Sequence, residues 1–156
     1  MHYLLLVFIL IFSNPLEKAP DFDFVHESGE LQKLSDYDGN VVYVAFWASW
    51  CKPCLVNFKN YEGMRLEMKK KGVILLNVSL DKNKEDWHNA LMSYGFMHGD
   101  NVHVSDIRNV MDLYELSFIP EYVILNKNRE FVSLDQSEGR DVMADFDKWL
   151  KEAPDF

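Results

Sequence analysis

The sequence predicts an α/β fold built around a mixed β-sheet. Two runs, Val41–Phe46 and Val73–Leu80, are almost entirely apolar and rich in β-branched residues, as expected of central strands buried on both faces. A segment with helical spacing of its apolar residues follows each run, and this alternation of strand and helix is typical of a parallel sheet. Antiparallel hairpins at both ends of the pattern make the predicted sheet mixed.

An N-terminal β-hairpin precedes the first central strand. Phe22 and Phe24 on one side, and Leu31 and Leu34 on the other, alternate with polar residues around the turn signal Glu27-Ser28-Gly29. Two short strands joined by a glycine-containing turn are therefore expected here.

Two longer helices follow the two central strands. The first is predicted from Pro53 to about Lys70, where apolar residues recur at helical spacings and Gly72 provides a stop signal. The second is predicted over Lys84–Tyr94 and is closed by Gly95.

Shorter elements complete the pattern. A strand near Val102–Val104 and a small helix at Ile107–Tyr114 come first. The runs Tyr122–Leu125 and Phe131–Leu134 flank a turn and predict an antiparallel hairpin. Apolar residues on one face of the segment Arg140–Leu150 predict a C-terminal helix.

Length and charge limit the classes of protein to consider. A chain of 156 residues can bury one substantial core but is too short for two ordinary domains. Sixteen Lys plus Arg against 25 Asp plus Glu give a formal charge of -9, so no basic surface is available for a nucleic acid backbone. Nucleic acid is therefore not an expected partner.

The N-terminus carries an apolar segment. The run Leu4–Phe12 has the length of the hydrophobic region of a signal peptide and is shorter than the ~20 residues that span a bilayer. It predicts export or a membrane tether through residues 4–12, with residues 1–15 as a signal-like or anchor segment and residues 16–152 as the folded domain. Against this, no Lys or Arg precedes the run, and Ser13-Asn14-Pro15 matches a cleavage site poorly. A hydrophobic element packed on the fold, or a truncated gene start, is the alternative.

The chemistry of the chain is concentrated in Cys51-Lys52-Pro53-Cys54. The spacing is one helical turn, so both sulfurs fall on one helix face within bonding distance if the first cysteine begins the helix. The positive end of the helix dipole and the cation of Lys52 favour a thiolate, which predicts a lowered pKa for Cys51 and makes it the attacking residue. Pro53 is tolerated in a first helical turn. Cys54 then resolves the mixed disulfide.

Two other interpretations of the cysteine pair are weaker. A zinc site would need His98 and His103 as further ligands, but these lie much farther along the chain than finger-like spacing allows. A purely structural disulfide would close so short a loop that it would remove little unfolded-state entropy. No metal site and no cofactor are predicted.

The segment VAFWASWCKPC resembles the active-site segment of the thioredoxin superfamily. More narrowly, APDFDF, LSDYDGN, FWASWCKPC and YELSFIPEYVIL, in that order, resemble the bacterial TlpA/ResA-like thiol-disulfide oxidoreductases. The similarity covers about residues 17–151. It implies a thioredoxin-like three-layer α/β/α fold with a central mixed β-sheet.

The resemblance also implies a substrate-binding set. The bond between Ile119 and Pro120 is expected to be cis, with Pro120 facing the cysteines and keeping metal away from them. The backbone of Ile119 is expected to pair with the substrate chain, and Trp50 to form an apolar wall beside the attacking sulfur. Lys52 joins this set as the residue that follows Cys51.

Three positions depart from the family pattern. Thioredoxins carry a buried acid at the position of Ala45, and ResA-like proteins carry a glutamate at the position of Asn57. Without these carboxylates, proton transfer at Cys54 must use water or another group. Many relatives have Thr where this chain has Glu121, which places an acidic group close to the expected substrate groove.

The expected function is that of a thiol-disulfide oxidoreductase that reduces disulfides in protein substrates. An upstream thiol electron donor is expected to re-reduce it. An extracytoplasmic location follows from the N-terminal segment. Two alternatives remain. A peroxiredoxin-type peroxidase shares the fold, although Ala48 stands where that class has a hydroxyl residue. A thioredoxin-like module without catalytic activity is the other.

Overall fold

The computed structural model describes residues 16–95 and 98–134. Within them, the strands form one mixed sheet in the order β2-β1-β5-β4-β3-β6-β7. The pairs β3·β4 and β4·β5 are parallel, and the pairs β1·β2, β1·β5, β3·β6 and β6·β7 are antiparallel. The strands are β1 (Asp23–His26), β2 (Leu31–Lys33), β3 (Val42–Trp47), β4 (Ile74–Ser79), β5 (Asp100–His103), β6 (Glu121–Leu125) and β7 (Phe131–Leu134).

Helices cover both faces of this sheet. Residues of the first three helices pack into the core on one face, and residues of the fourth pack into the core on the other. This arrangement is the predicted three-layer α/β/α fold. The helices are α1 (Lys52–Asn60), α2 (Glu62–Lys70), α3 (Lys84–Ser93) and α4 (Ile107–Leu113), and a short 3₁₀ helix covers Leu34–Tyr37.

Strand β3 lies in the interior of the sheet, between β4 and β6, and every residue in it is buried. Because successive side chains of a strand point to opposite faces, the strand divides the interior into two cores. Val42, Val44 and Phe46 pack on the α4 side, in the first core. Tyr43 and Trp47 pack on the α1 side, in the second core, which also contains both cysteines.

Most predicted elements are present close to their expected bounds, but the long helix predicted from Pro53 to Lys70 is wrong as a single element. It is divided at Tyr61, which ends α1 and precedes α2 with φ -98° and ψ 12°. Asn60 and Gly63, which flank this point, are poor helix formers, so the chain bends here at little cost. Gly72, two residues after the end of α2, adopts a positive φ of 84°, as the stop signal predicts.

Two predicted segments lie outside the described residues. These are the apolar segment at residues 1–15 and the C-terminal helix at residues 140–150. Among the residues that are described, no helix combines the length and the apolar character needed to cross a bilayer.

Gly99 provides a test of the packing between β4 and β5. Its φ of 107° is unfavourable for other residues, and an added Cβ would overlap the carbonyl oxygen of Leu75. We predict that Gly99→Ala lowers the free energy of unfolding by more than about 2 kcal/mol, because the backbone conformation alone costs ~1–2 kcal/mol. Urea unfolding followed by circular dichroism measures the change.

Gly63 is the matched control, since it is exposed within α2 and has no heavy atom near an added Cβ. Gly63→Ala should raise the free energy of unfolding by about 0.5–1 kcal/mol. A Gly99→Ala protein as stable as the wild type would contradict the described packing.

Candidate active site

Strand β3 ends directly at the cysteine motif. After Trp47, residues 48–51 form a turn in which the amide of Cys51 donates to the carbonyl oxygen of Ala48 at 3.0 Å. Cys51 has an extended conformation, and α1 begins at the next residue. Pro53 occupies the second helical position, where a backbone N–H would have no intrahelical partner. The predicted start of the helix at the cysteines is confirmed.

Cys51 and Cys54 are joined by a disulfide, and their Cα atoms are 5.3 Å apart. The amide of Cys54 donates a hydrogen bond to the Sγ of Cys51 at 3.2 Å. Cys51 is 4% exposed and Cys54 is fully buried, so Cys51 is the sulfur closer to solvent. An amide donor at the positive end of a helix stabilises a thiolate at the Cys51 position.

The segment before β6 approaches the disulfide from the other side. The peptide bond between Ile119 and Pro120 is cis, as the resemblance implies. The carbonyl oxygen of Ile119 lies 3.7 Å from the Sγ of Cys51. Both residues are partly buried, and the side chain of Ile119 packs against both cores. A main-chain acceptor therefore lies within contact distance of the outer sulfur.

A mostly apolar cavity of about 750 Å³ is lined by Trp50, the residue before Cys51, and by Ile119, whose carbonyl oxygen lies near the Cys51 sulfur. Trp50 and Phe118 line it and remain 67% and 53% exposed, although both are large apolar residues. Exposed apolar surface around a cavity of this size is typical of a binding site. Lys52 is exposed and does not line the cavity, so the structure does not bring it together with Trp50 and Ile119 there.

Neutral residues stand at positions 45 and 57, where the family pattern has an acid. Ala45 is fully buried, and its cross-strand partner is Tyr122. The side-chain amide of Asn57, one turn after Cys54 on α1, donates to the Tyr122 hydroxyl at 3.1 Å. Burial raises the pKa of Tyr122 to about 12, although the bond from Asn57 acts in the opposite direction. Tyr122 therefore contacts both positions at which relatives carry an acid, and it remains protonated at neutral pH.

A buried cation lies deeper on the same face of the sheet. The Nη2 atom of Arg65 donates to the Oδ1 of Asn77 and to the carbonyl oxygen of His98, both at 2.7 Å. Its guanidinium carbon is 4.7 Å from the ring centroid of Phe58. Burial lowers the pKa of Arg65, and the nearby Tyr43 partly opposes this effect. Neutral acceptors and aromatic rings thus solvate this charge.

Glu121 does not lie in the cavity. It is 5% exposed, and its cross-strand partner is Phe46, which belongs to the first core. Cross-strand partners share a face of the sheet, so the Glu121 side chain points away from the cysteine side. The expectation that the carboxylate of Glu121 lies close to the substrate groove is therefore wrong.

A second buried acid, Asp81, was not singled out by the sequence. Its carboxylate accepts hydrogen bonds from the main chain and the hydroxyl of Ser49, two residues before Cys51. Ser79 ends one parallel strand, Asp81 follows it, and Ser49 follows the end of the neighbouring strand. Polar residues that follow adjacent parallel strands meet at one edge of the sheet, and this rule is the signal that could have found the contact.

The two histidines of the zinc alternative have other partners. The Nε2 of His98 lies 2.9 Å from a carboxylate oxygen of Glu62, and the Nε2 of His103 lies 2.8 Å from the carbonyl oxygen of Asp81. Within residues 16–95 and 98–134, no three His, Cys, Asp or Glu side chains are grouped so that they could hold a metal ion.

Solved structures share this fold. The thioredoxin domain of a thiol-disulfide oxidoreductase from Bacteroides vulgatus superposes with a TM-score of 0.76 at 23% identity, covering 85% of this chain and 95% of that one. A Chlorobium tepidum protein assigned as the thiol:disulfide interchange protein DsbE superposes with a TM-score of 0.74 at 28% identity, covering 87% and 95%. The predicted thioredoxin-like fold is confirmed.

Curated relatives are similar over most of the chain. Thiol-disulfide oxidoreductase ResA of Bacillus subtilis is 30% identical over 116 residues, which are 74% of this chain and 64% of that protein. ResA of Geobacillus kaustophilus is 30% identical over 112 residues, 72% of this chain and 63% of that protein. The chain thus spans a little under two thirds of the length of these two relatives. Residues 15–134 match the AhpC/TSA family, and the chain belongs to that family.

Proposed function

We propose that this protein is a thiol-disulfide oxidoreductase that reduces disulfides in protein substrates. The observation that carries the proposal is the Cys51–Cys54 disulfide at the start of α1, with the Cys54 amide bonded to the Cys51 sulfur. This arrangement favours a thiolate at the outer position and keeps its resolving partner one helical turn away. The similarity to proteins named thiol-disulfide oxidoreductase ResA supports the same activity.

The exchange takes two steps. In the reduced protein, the Cys51 thiolate attacks one sulfur of the substrate disulfide, forms a mixed disulfide and releases the other sulfur as a thiolate, which takes a proton from water. Cys54 then loses its proton to water, attacks the Sγ of Cys51 and releases the second substrate thiolate, which takes a proton from water in the same way. Two electrons pass from the dithiol to the substrate, and an upstream thiol donor restores the reduced form.

The groups around Cys51 form the proposed substrate-binding site. The Ile119 carbonyl oxygen, 3.7 Å from the outer sulfur, would accept a main-chain hydrogen bond from an extended substrate segment. Trp50 would contact apolar substrate side chains in the adjoining cavity, and Pro120 would exclude metal from the thiols. Lys52 would act from outside the cavity, as a cation beside the thiolate.

Disulfide exchange is favoured over peroxide reduction. Ala48, which lies three residues before Cys51, is fully buried and provides no hydroxyl group beside the attacking sulfur. The cavity wall is instead mostly apolar, which suits a polypeptide better than a peroxide.

The proposed location is extracytoplasmic, by export or by a tether through residues 4–12. The apolar run Leu4–Phe12 supports this placement, because it matches the hydrophobic region of a signal peptide. Outside the cytoplasm, disulfides persist, so substrates for a reductant are available there.

A trapping experiment tests the assignment of the two cysteines. We predict that Cys54→Ala accumulates a mixed disulfide with a reporter disulfide protein such as insulin, because Cys51 attacks but nothing resolves the adduct. Cys51→Ala should form no adduct. Non-reducing gels and intact mass measure the covalent species.

The double variant Cys51→Ala/Cys54→Ala is the control. If it reduces insulin at the wild-type rate, the chain is a binding module rather than a redox enzyme. Adducts formed by Cys51→Ala alone would reverse the two roles.

The reduction potential distinguishes a reductant from an oxidant. We predict a potential close to the thioredoxin value of about -270 mV and well below the DsbA value of about -120 mV. Equilibration with dithiothreitol or glutathione buffers, followed by alkylation of free thiols, measures it. A potential as high as that of DsbA would contradict the proposed direction of exchange.

The neutral residues behind Cys54 predict a simple pH dependence for resolution. With a pKa of about 12, Tyr122 stays protonated between pH 5 and 9 and takes no proton from Cys54. The rate of resolution should therefore rise about tenfold per pH unit until the Cys54 thiol itself ionises, because only the thiolate attacks.

Stopped-flow measurement on a preformed mixed disulfide at Cys51 gives this profile. Tyr122→Phe should retain the slope. An inflection between pH 4 and 6 in the wild type would reveal a carboxylate base and contradict the prediction.

A further inference from the structure

The Asp81 carboxylate is buried without an ion pair. It is 1% exposed and forms no salt bridge with a cation of the described residues. Its hydrogen-bond donors are all neutral. They are the Ser49 amide at 2.9 and 3.1 Å, the Ser49 hydroxyl at 2.7 Å and the Ser79 hydroxyl at 2.8 Å. A buried carboxylate requires such donors, so these bonds hold its two oxygens in one orientation.

Two of the three donor groups belong to the turn that carries the dithiol. Ser49 is the second residue of the turn at residues 48–51, whose closing bond joins Cys51 to Ala48. The amide of Ser49 takes no part in that closing bond and donates its hydrogen bond to the Asp81 carboxylate. Asp81 therefore holds the turn through both donor groups of Ser49.

Asp81 is itself fixed by neighbouring elements. Its amide donates to the Ser79 hydroxyl at 3.1 Å. Its carbonyl oxygen accepts from the Nε2 of His103 at 2.8 Å, and the His103 ring lies 5.4 Å from the ring of Trp87. These contacts tie the main chain of Asp81 to β4 and β5, and through His103 to Trp87 of α3.

We propose that Asp81 is a positioning residue for the dithiol, holding the turn so that the Cys51 sulfur stays at the start of α1 and Trp50 stays on the cavity wall. The proposal rests on the proposed function, since it concerns the attacking sulfur. Asp81 acts through Ser49, and the Cys51 sulfur is not one of its hydrogen-bond partners.

Position and charge have opposite effects on the Cys51 thiol. If Asp81 holds the turn, its loss weakens the bond from the Cys54 amide to the Cys51 sulfur, and the thiol pKa rises. If Asp81 acts only as a nearby negative charge, its loss favours the thiolate, and the thiol pKa falls. A role confined to stability leaves this pKa unchanged.

The test uses Cys54→Ala as the background, because Cys51 is then the only thiol and the amide at position 54 is retained. The pH dependence of iodoacetamide alkylation, followed by intact mass, measures the Cys51 pKa. For Asp81→Asn we expect the pKa to rise by about one unit, so that alkylation at pH 6 falls about tenfold. In the chain with both cysteines, insulin reduction should decrease in parallel.

Asp86→Asn is the matched charge control. Asp86 carries the same charge and lines the same cavity, but it makes no hydrogen bond to the turn. Its replacement should leave the alkylation profile unchanged. A fall of the Cys51 pKa in Asp81→Asn, or an unchanged pKa with only a lower melting temperature, overturns the proposal.

Ser49 variants decide the matter if Asp81→Asn does not fold. Ser49→Ala removes only the hydroxyl donor and should raise the Cys51 pKa by a smaller amount, whereas Ser49→Thr retains both donors and should match the wild type. Equal profiles for Ser49→Ala and Ser49→Thr overturn the proposal. The alkylation measurement needs no substrate, so it can fail or succeed independently of the proposed function. If the variants show the expected pKa changes but the wild type reduces no disulfide, the proposed function is rejected and Asp81 is still a positioning residue.

Discussion

The structure depends on a strand that is buried on both faces and ends at the reactive residues. Strand β3 has parallel β4 on one edge and antiparallel β6 on the other, and helices cover both of its faces. A strand enclosed on all sides has little freedom to shift, because its alternating side chains fill two separate cores. The turn that leaves its end at Trp47 therefore begins from a fixed point.

The chemistry follows from how this fixed end meets three other parts of the chain. Helix α1 begins immediately and directs the amide of Cys54 at the sulfur of Cys51. The segment before β6 brings the Ile119 carbonyl oxygen to the same sulfur. The end of β4 contributes Asp81, which binds the intervening turn through Ser49. Each part comes from an element that pairs with β3 or follows it in the chain, so the position of β3 sets the positions of all three.

The sequence predicted the local parts of this arrangement well. The apolar run at residues 41–46, the cysteine spacing and the stop at Gly72 are short-range patterns, and each specifies its own conformation. The contacts between distant residues were not predictable in this way. Ser49 and Asp81 are 32 residues apart, and Asn57 and Tyr122 are 65 apart, so their contacts depend on strand order and register. The break at Tyr61 was missed for another reason, since apolar spacing continues across a bend.

In the part of the chain that the structure describes, two acids and one cation are buried, Glu121, Asp81 and Arg65. Glu121 points into the first core, on the opposite face of the sheet, and Asp81 is occupied by the Ser49 and Ser79 donors. Arg65 lies on the cysteine face but is held by Asn77 and the carbonyl oxygen of His98. At the two positions where the family pattern has an acid, the polar groups are the neutral hydroxyl of Tyr122, the cross-strand partner of Ala45, and the neutral amide of Asn57. In the proposed exchange, such a site would stabilise the Cys51 thiolate through backbone and helix geometry and would leave the proton of Cys54 to solvent. The rate of resolution would then depend on the pKa of the Cys54 thiol. The absence of carboxylates at positions 45 and 57 would therefore affect the rate at which substrate is released.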